Sequence, residues 1–379
     1  MTNLQTVLDD ATAAQDVPFV VAMTANSDGT TFSGAAGDAR DGLKATEDTA
    51  FRIFSMTKAI GSLAAMILID RGKISMDTQV AEVLPAWNDL KVLEGFDGDT
   101  PILRAPKTQA TLRHLATHTS GMEYEFWNPD VPKYLELTGH PTVLSGLKSS
   151  LMYPLTTDPG TRWGYGPSID WLGQVVEAVD GRRIDAFCQE EILDPLGMTD
   201  TAFEPDKLLD RLSSVSMRGE DGGFGPVDLA PPPNPEFYGM GHALYSTAPD
   251  YLRFLRMVLN RGQLDGNRVL SDAAFDEIIA DQMNGLTLQK MHSVAPAVSA
   301  DVEMPEGTTH SFGFVRNEAD IPGMRSAGAL SWAGVCNTHY WIDPSKDLAA
   351  VIMTQSLPFL EPRFQKTYQT YEQAVYAGL

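Results

Sequence analysis

The chain has 379 residues, of which 43% are apolar and 21% charged, a composition typical of a globular protein rather than a disordered one. Lys and Arg number 28 against 50 Asp and Glu, and the net charge of −22 disfavours nucleic acids and anionic lipid surfaces as partners. The two cysteines, Cys188 and Cys336, are too few for a disulfide framework or a cysteine-rich metal site.

The sequence shows no membrane-targeting pattern. No stretch reaches the ~18 uncharged apolar residues that span a bilayer. The N-terminal MTNLQTVLDDATAAQD has neither the basic leader nor the apolar core of a signal peptide. We therefore expect a cytoplasmic protein that does not act on membranes.

The N-terminal part of the chain predicts a helix, a hairpin and a second helix, in that order. Residues 2–15 carry one apolar stripe, formed by Leu4, Val7, Leu8 and Ala11. The segment VPFVVAMTAN, the turn SDGT and the segment TFSGAAG then predict a β-hairpin. In FRIFSMTKAIGSLAAMILIDRG, residues 51–72, a helix should begin near Ser55 and end at Gly72. Because this helix is apolar on nearly every face, we expect it at the centre of the protein.

The rest of the chain changes from a helical pattern to strands. Residues 77–285 predict helices broken by Pro and Gly loops, such as TLRHLATHTSGM and TAPDYLRFLRMVLNRG. Beyond them, SWAGVCNTHYWIDP and DLAAVIMTQS predict two antiparallel strands joined at PSKD, and RFQKTYQTYEQAVYAGL predicts a last helix. We expect an α/β fold whose antiparallel sheet comes from both chain ends. Its α/β domain would comprise residues 1–76 and 286–379, beside a mostly helical lobe at 77–285.

Ser55 and Lys58 form the pattern in the sequence that points to chemistry. Residues three apart on a helix lie on one face, so the serine hydroxyl and the lysine amine can meet. A serine is a weak nucleophile until a base takes its proton. Burial makes a lysine lose its proton more readily, because it disfavours the charged form. The alternative is a helix-capping serine beside a lysine whose amine reaches water.

Two later segments add candidate partners. PGTRWGYG places Tyr165 in a loop before a helix, where a phenol could relay a proton. SAGALSWAGV surrounds Trp332 with small residues that let backbone N–H groups approach a reacting carbonyl. Ordinary core packing of Tyr165, and a packed strand start at Trp332, are the alternatives.

Taken together, these motifs resemble the serine β-lactamase and penicillin-binding-protein superfamily. The segments FRIFSMTK, LATHTSG, PGTRWGYG, GHALYSTAPDYLRFLRMVL and WAGV occur in the family's order. The match is best to the class C-like branch known as family VIII carboxylesterases, and the lovastatin-type acyltransferases are also similar. The resemblance spans about residues 5–375 and implies a β-lactamase/transpeptidase-like fold.

The resemblance also implies a role for each matching residue. Ser55 would be the acylated nucleophile, Lys58 its general base, and Tyr165 the second member of the proton relay. The backbone N–H groups of Ser55 and Val335 would form the oxyanion hole. Trp332 stands where lactamases and peptidases carry the lysine of K-T-G.

Two departures from the family pattern favour an ester substrate. The family's Tyr-x-Asn triplet reads Tyr165-Gly166-Pro167, and Trp332 gives a β-lactam or peptide carboxylate no cation. A charge-assisted hydrogen bond of that kind is worth roughly 1.5–3 kcal/mol. We therefore expect a serine hydrolase that cleaves esters of small or medium acyl groups. A β-lactamase or D-Ala-D-Ala peptidase, an acyltransferase and an inactive ligand-binding scaffold remain as alternatives.

Further residues are candidates for substrate contact or for structure. Substrate contacts are predicted at Trp332, Tyr124, Trp127, His242 and Gly334, and His339 is a weaker candidate. His114 and His118 have a metal-compatible spacing, but no glutamate follows His114 and no third ligand is apparent, so a structural role is favoured. We expect no metal and no organic cofactor, and the sequence leaves the oligomeric state open.

Overall fold

The computed structural model describes residues 3–379. Its helices are α1 (Leu4–Ala13), α2 (Thr57–Asp70), α3 (Val80–Val83), α4 (Leu112–Ala116), α5 (Asp130–Thr138), α6 (Ser168–Asp180), α7 (Ile184–Cys188), α8 (Asp194–Leu196), α9 (Ala248–Leu259), α10 (Asp272–Ile279) and α11 (Pro362–Ala377). A π-helical turn, Gln189–Leu193, lies between α7 and α8. Short 3₁₀ turns occupy Phe54–Met56, Pro85–Asp89, Val143–Ser145, Lys148–Leu151, Asp206–Leu208 and Pro344–Lys346.

Seventeen strands are described in residues 3–379. They are β1 (Phe19–Ala25), β2 (Thr30–Arg40), β3 (Leu43–Lys44), β4 (Ala50–Arg52), β5 (Val92–Asp97), β6 (Thr100–Arg104), β7 (Ser216–Arg218), β8 (Phe224–Pro226), β9 (Tyr245–Thr247), β10 (Gln263–Leu264), β11 (Asn267–Arg268), β12 (Thr309–His310), β13 (Val315–Arg316), β14 (Leu330–Gly334), β15 (Thr338–Asp343), β16 (Leu348–Met353) and β17 (Ser356–Leu357).

The main sheet is antiparallel and joins the two ends of the chain. Its eight strands run in the order β12-β13-β14-β15-β16-β1-β2-β3, and β1 pairs with β16 from Val21 opposite Met353 to Ala25 opposite Ala349. One face packs against α1 and α11, and the other packs against α2 and α9. Alternating residues of β1 therefore enter two different cores. The predicted α/β fold with a sheet from both ends is confirmed.

Helix α2 lies in the larger core, as its apolar pattern predicts. Every residue from Thr57 to Leu68 is buried. Close packing requires small residues on this helix: a Cβ at Gly61 would stand 2.7 Å from Met240 Cβ. The helix is followed by Gly72 with a φ of +67°, a left-handed position that favours glycine. The predicted start near Ser55 differs slightly, because Ser55 lies in the 3₁₀ turn and the α-helix begins at Thr57.

The structure corrects three details of the predicted elements. The segment SWAGVCNTHYWIDP forms two strands, β14 and β15, because Asn337 takes a φ of +62° and turns the chain between them. The helical middle also carries the hairpins β5–β6, β7–β8 and β10–β11. The first helix spans Leu4–Ala13 and is capped by the Asn3 side chain, and residue 2 of its predicted range lies outside the described residues.

Within residues 3–379, no helix is both long and apolar enough to cross a bilayer.

Candidate active site

Ser55 stands at a strained turn that the sheet and its neighbours hold in place. Phe54, the residue before it, has a φ of +41°, an unfavourable conformation for a bulky side chain. Its ring is buried in a small cluster with Val215, Cys336 and Leu357. Such strain persists only where the surroundings enforce it, and it is concentrated at functional sites.

Lys58 points inward, one turn along α2 from Ser55. The residue is 2% exposed, and its Nζ lies 3.0 Å from Ser55 Oγ, 3.1 Å from the Tyr124 hydroxyl and 2.8 Å from the Gly241 carbonyl oxygen. Burial lowers the pKa of Lys58 to about 7, and the negative charge of Asp170 opposes part of that shift. A large fraction of the amine is therefore neutral at physiological pH.

The three neighbours of the amine limit how its hydrogens and lone pair can be used. A neutral amine has two N–H donors and one lone pair. The Gly241 carbonyl can only accept, so it takes one N–H. If the Tyr124 hydroxyl oxygen accepts the second, the lone pair is left facing the hydroxyl of Ser55. In that arrangement the lone pair would be placed to accept the serine proton.

Tyr165 completes the polar cluster from the loop before α6. Its ring packs edge-on against Tyr124, His118 and Trp332, with centroid distances of 5.2, 4.9 and 4.8 Å. The indole Nε1 of Trp332 donates to its hydroxyl at 3.3 Å. Burial raises the pKa of Tyr165 well above its ordinary value, so the phenol stays protonated at neutral pH. Since a protonated phenol cannot accept the serine proton, Lys58 is the better candidate for the base.

Strand β14 ends against the chain that carries the nucleophile. A Cβ at Gly334 would lie 2.3 Å from the carbonyl oxygen of Ile53, so only glycine allows this approach. Val335 is the next residue, and it packs against the cluster around Phe54. This proximity agrees with an oxyanion hole built from the N–H groups of Ser55 and Val335, which remains a prediction.

Three features of the site escaped sequence reasoning. Tyr124 was predicted to contact substrate, yet its hydroxyl lies against Lys58. The carbonyl that orients the amine belongs to Gly241, and the N–H of Gly241 donates to Asp170 Oδ1 at 2.6 Å. Asp170 follows Tyr165 by five residues at the start of an apolar helix, and a carboxylate at such a buried position is the signal that could have found it.

The other predicted substrate contacts occupy different surroundings. Trp332 is half-buried beside Tyr165, and Trp127 is half-buried against Phe126. The imidazole of His242 is buried, and its Nδ1 has no hydrogen-bond partner among the described residues. Burial lowers the pKa of His242. Substrate contact by these residues stays a prediction.

The remaining histidines are structural in their contacts. His114 caps α4 with Thr111, whose N–H donates to its Nδ1 at 3.2 Å. His118 is buried beside His310, with ring centroids 5.5 Å apart. The suggestion that His339 lies near the site is wrong, because its ring stacks on Phe359 and on the C-terminal helix α11. In residues 3–379, no group of three or more His, Cys, Asp or Glu side chains could hold a metal.

The sequence model of the β-lactamase family matches residues 4–374 of this chain. The chain belongs to the β-lactamase family. This confirms the resemblance inferred from the Ser-x-x-Lys, tyrosine-loop and Trp-Ala-Gly segments.

The relatives within this family include both transferases and a hydrolase. Monacolin J acid methylbutanoyltransferase of Aspergillus terreus is 31% identical over 343 residues, which cover 87% of this chain and 82% of the relative. Lovastatin esterase of Penicillium rubens is 30% identical over 352 residues, which cover 87% and 85%. A variant of simvastatin synthase from A. terreus has a similar structure, with a TM-score of 0.85, 28% identity, and coverage of 99% of this chain and 94% of that one. The β-lactamase-like fold thus hosts hydrolysis and acyl transfer among these relatives.

Proposed function

We propose that this protein is a serine carboxylesterase that acts through an acyl-enzyme on Ser55. The observation that carries the proposal is the buried amine of Lys58, 3.0 Å from Ser55 Oγ, with its pKa lowered to about 7. A lysine that is neutral at working pH can serve as the general base that a serine nucleophile requires.

Ser55, Lys58 and Tyr165, together with one water molecule, account for every proton transferred in the reaction. Neutral Lys58 takes the proton of Ser55 as the serine oxygen bonds to the ester carbonyl. The rings of Tyr124 and Tyr165, with centroids 5.2 and 4.9 Å from Nζ, stabilise the ammonium that forms. The ester C–O bond breaks, and the proton passes from Lys58 through the Tyr165 hydroxyl to the leaving alkoxide. Water then attacks the acyl group and gives a proton to Lys58, which passes it to Ser55 Oγ as the bond between the serine oxygen and the acyl carbon breaks.

The surroundings of Trp332 support an uncharged substrate. The imidazoles beside this indole belong to His118 and His310, with ring centroids 6.5 and 6.2 Å away. Burial lowers the pKa of His310 to about 4 and that of His118 well below its ordinary value, so both are neutral. A β-lactam or peptide carboxylate would find an aromatic wall here rather than a cation.

Acyl transfer to an alcohol is the second candidate. The 31% identity to a methylbutanoyltransferase across 87% of this chain favours it. The acyl-enzyme would form in the same way, and an alcohol would replace water as the acceptor. Product analysis with p-nitrophenyl butyrate and a bulky alcohol would separate the two, because a butyrate ester of that alcohol forms only by transfer.

The test of the proposal is Ser55→Ala and Lys58→Ala, assayed on p-nitrophenyl butyrate and by intact mass after a fluorophosphonate probe. We expect each variant to lose about 10³-fold or more in kcat/KM, and Ser55→Ala to gain no probe mass. The matched control is Ser62→Ala. Ser62 is also buried and lies about one turn beyond Lys58 on α2, and this variant should keep probe labelling.

Full activity in either active-site variant would overturn the proposal, and faster turnover of nitrocefin than of simple esters would favour a β-lactamase. A wild-type chain that gains no adduct would be a binding scaffold.

A further inference from the structure

Asp170 is a buried carboxylate that the reaction as written does not use. It lies in the first turn of α6 and is 2% exposed. Within residues 3–379, Asp170 forms no ion pair, and the partner of its Oδ1 is the backbone N–H of Gly241. A buried charge without a paired cation destabilises a fold. Such a group is retained where its charge or its hydrogen bond serves a function.

The hydrogen bond of Asp170 acts on the turn that touches the base. The Gly241 N–H donates to Asp170 Oδ1 at 2.6 Å, and the carbonyl of the same glycine accepts from Lys58 Nζ at 2.8 Å. One peptide unit on each side of Gly241 thus connects the carboxylate to the amine. The hydrogen bond to Asp170 fixes one peptide plane of Gly241 and so restricts the residue whose carbonyl meets the amine.

Glycines on this turn let the carboxylate approach. A Cβ at Gly241 would lie 2.8 Å from Asp170 Oδ1, 3.2 Å from the Tyr124 hydroxyl and 3.3 Å from Lys58 Nζ. A Cβ at Gly239 would lie 3.0 Å from the same carboxylate oxygen and 2.3 Å from the ring of His242. Since Asp170 Oδ1 and Lys58 Nζ are both within 3.3 Å of one point, they are no more than about 6 Å apart, a range at which opposite charges interact measurably.

The charge of Asp170 acts on most of the titratable groups around the amine. It raises the pKa of Lys58, opposing the larger effect of burial, and contributes to the raised pKa values of Tyr124, Tyr153 and Tyr165 on the facing loops. It also opposes the burial that lowers the pKa of His242 on the Gly239 turn. His118, which faces the site from the loop after α4, is lowered by burial and by the charges of His310 and Lys58. Apart from His118, these groups share Asp170 as a charged neighbour.

We propose that Asp170 is a positioning residue for the base of this site. It anchors the Gly239–Gly241 turn so that the Gly241 carbonyl orients the amine of Lys58, and its negative charge acts on that amine across the turn. The inference deepens the proposed function and rests on Ser55 being the nucleophile and Lys58 its base.

The test is the pH dependence of the rate at which a fluorophosphonate probe labels Ser55. Asp170→Asn removes the charge, while its amide oxygen can still accept from the Gly241 N–H. Without the carboxylate, the ammonium form of Lys58 loses a stabilising charge, so the midpoint of the acid limb should move down by about one pH unit. Asp170→Ser, smaller and also neutral, should show the same shift. The matched control is Asp180→Asn at the far end of α6, where the carboxylate binds Arg182, and its midpoint should not move.

The outcomes separate this inference from the proposed function. Labelling of Ser55→Ala as fast as of the wild type would overturn the proposed function, whatever Asp170 does. If labelling needs Ser55 and Lys58 but both neutral variants keep the wild-type midpoint, only the inference is overturned. Failure of both neutral variants to fold, judged by circular dichroism, would give Asp170 a purely structural role and overturn it as well.

Discussion

Burial of Lys58 lowers the stability of the fold and also makes its amine able to accept a proton at neutral pH. The ordinary pKa of 10.5 falls to about 7 because the amine is removed from water. Between these two values the unfolded chain binds a proton that the folded chain does not, so the free energy of unfolding rises with pH over that range. At neutral pH, Lys58 therefore destabilises the fold while supplying a neutral base.

The first prediction follows from that pKa. Because only the neutral amine can take the Ser55 proton, kcat/KM for p-nitrophenyl butyrate should rise about tenfold per pH unit below pH 7 and level off above it. The raised pKa of Tyr165 means that no rise near pH 10 is expected from tyrosinate formation. The measurement is initial rates in buffers of constant ionic strength, corrected for hydrolysis without enzyme. A profile that is flat from about pH 5 to 8 would contradict a lysine base.

At the scale of elements, two loops bring the tyrosines to the helix. The loop after α4 carries Tyr124, the loop before α6 carries Tyr165, and the Tyr124 N–H donates to the Tyr165 carbonyl at 3.0 Å. The buried carboxylate of Glu123 joins the loops: its Oε2 accepts from Arg162 at 2.6 Å and from Thr156 at 2.7 Å. These bonds, rather than any regular strand pairing, hold the tyrosines at the amine.

Glu123→Ala should therefore affect both stability and activity. Removing a buried carboxylate that accepts several hydrogen bonds leaves its donors unpaired, at a cost of about 1–3 kcal/mol in the free energy of unfolding. We also expect kcat to fall by roughly tenfold, because a loop displacement misplaces Tyr165. Urea unfolding and the ester assay measure the two effects.

The control for this loop connection is Glu136→Ala. Glu136 is exposed on α5 and forms no ion pair among the described residues, so its loss should stay within about 0.5 kcal/mol. Equal unfolding midpoints for the two variants would show that Glu123 does not hold the loops.

At the scale of the whole molecule, the high negative charge opposes the close approach of the two chain ends that the sheet requires. The net charge of −22 creates self-repulsion throughout the fold. The sheet must nevertheless bring both chain ends together, with β1 paired to β16 and α1 packed beside α11. Many carboxylates are paired, such as Asp158 with Arg104 at 2.7 Å, but acidic residues outnumber basic ones by far.

Salt should therefore stabilise this protein at neutral pH. Raising NaCl from about 0.05 to 0.5 M shortens the screening length to a few ångströms and weakens the repulsion between unpaired carboxylates. We expect the urea midpoint at pH 7 to rise, and the rise to vanish near the isoelectric point, where repulsion is small. A midpoint that falls with salt at pH 7 would mean that surface ion pairs outweigh the net charge.

The sequence by itself determined what depends on residues close along the chain. The hairpin of β1 and β2, the buried helix α2 and the three-residue spacing of Ser55 and Lys58 are local patterns, so they could be predicted without any knowledge of packing. The segments PGTRWGYG and SAGALSWAGV suggested Tyr165 and Trp332, and the family resemblance assigned their roles and added Val335. The division into domains at residues 77 and 285 and the cytoplasmic location remain predictions.

Only the tertiary structure decided what surrounds the amine. Tyr124, Asp170 and Gly241 come from three segments separated by dozens of residues. Periodicity in the sequence cannot indicate that Tyr124 and Gly241 meet at the Lys58 nitrogen, or that Asp170 holds the N–H of Gly241. The sequence could not place His339 either. Side chains of a strand alternate between the two faces of a sheet, and only the structure shows that the ring of His339 packs on α11. A pKa depends on burial and on neighbouring charges, so the state of Lys58 is a property of the folded chain and not of the motif that contains it.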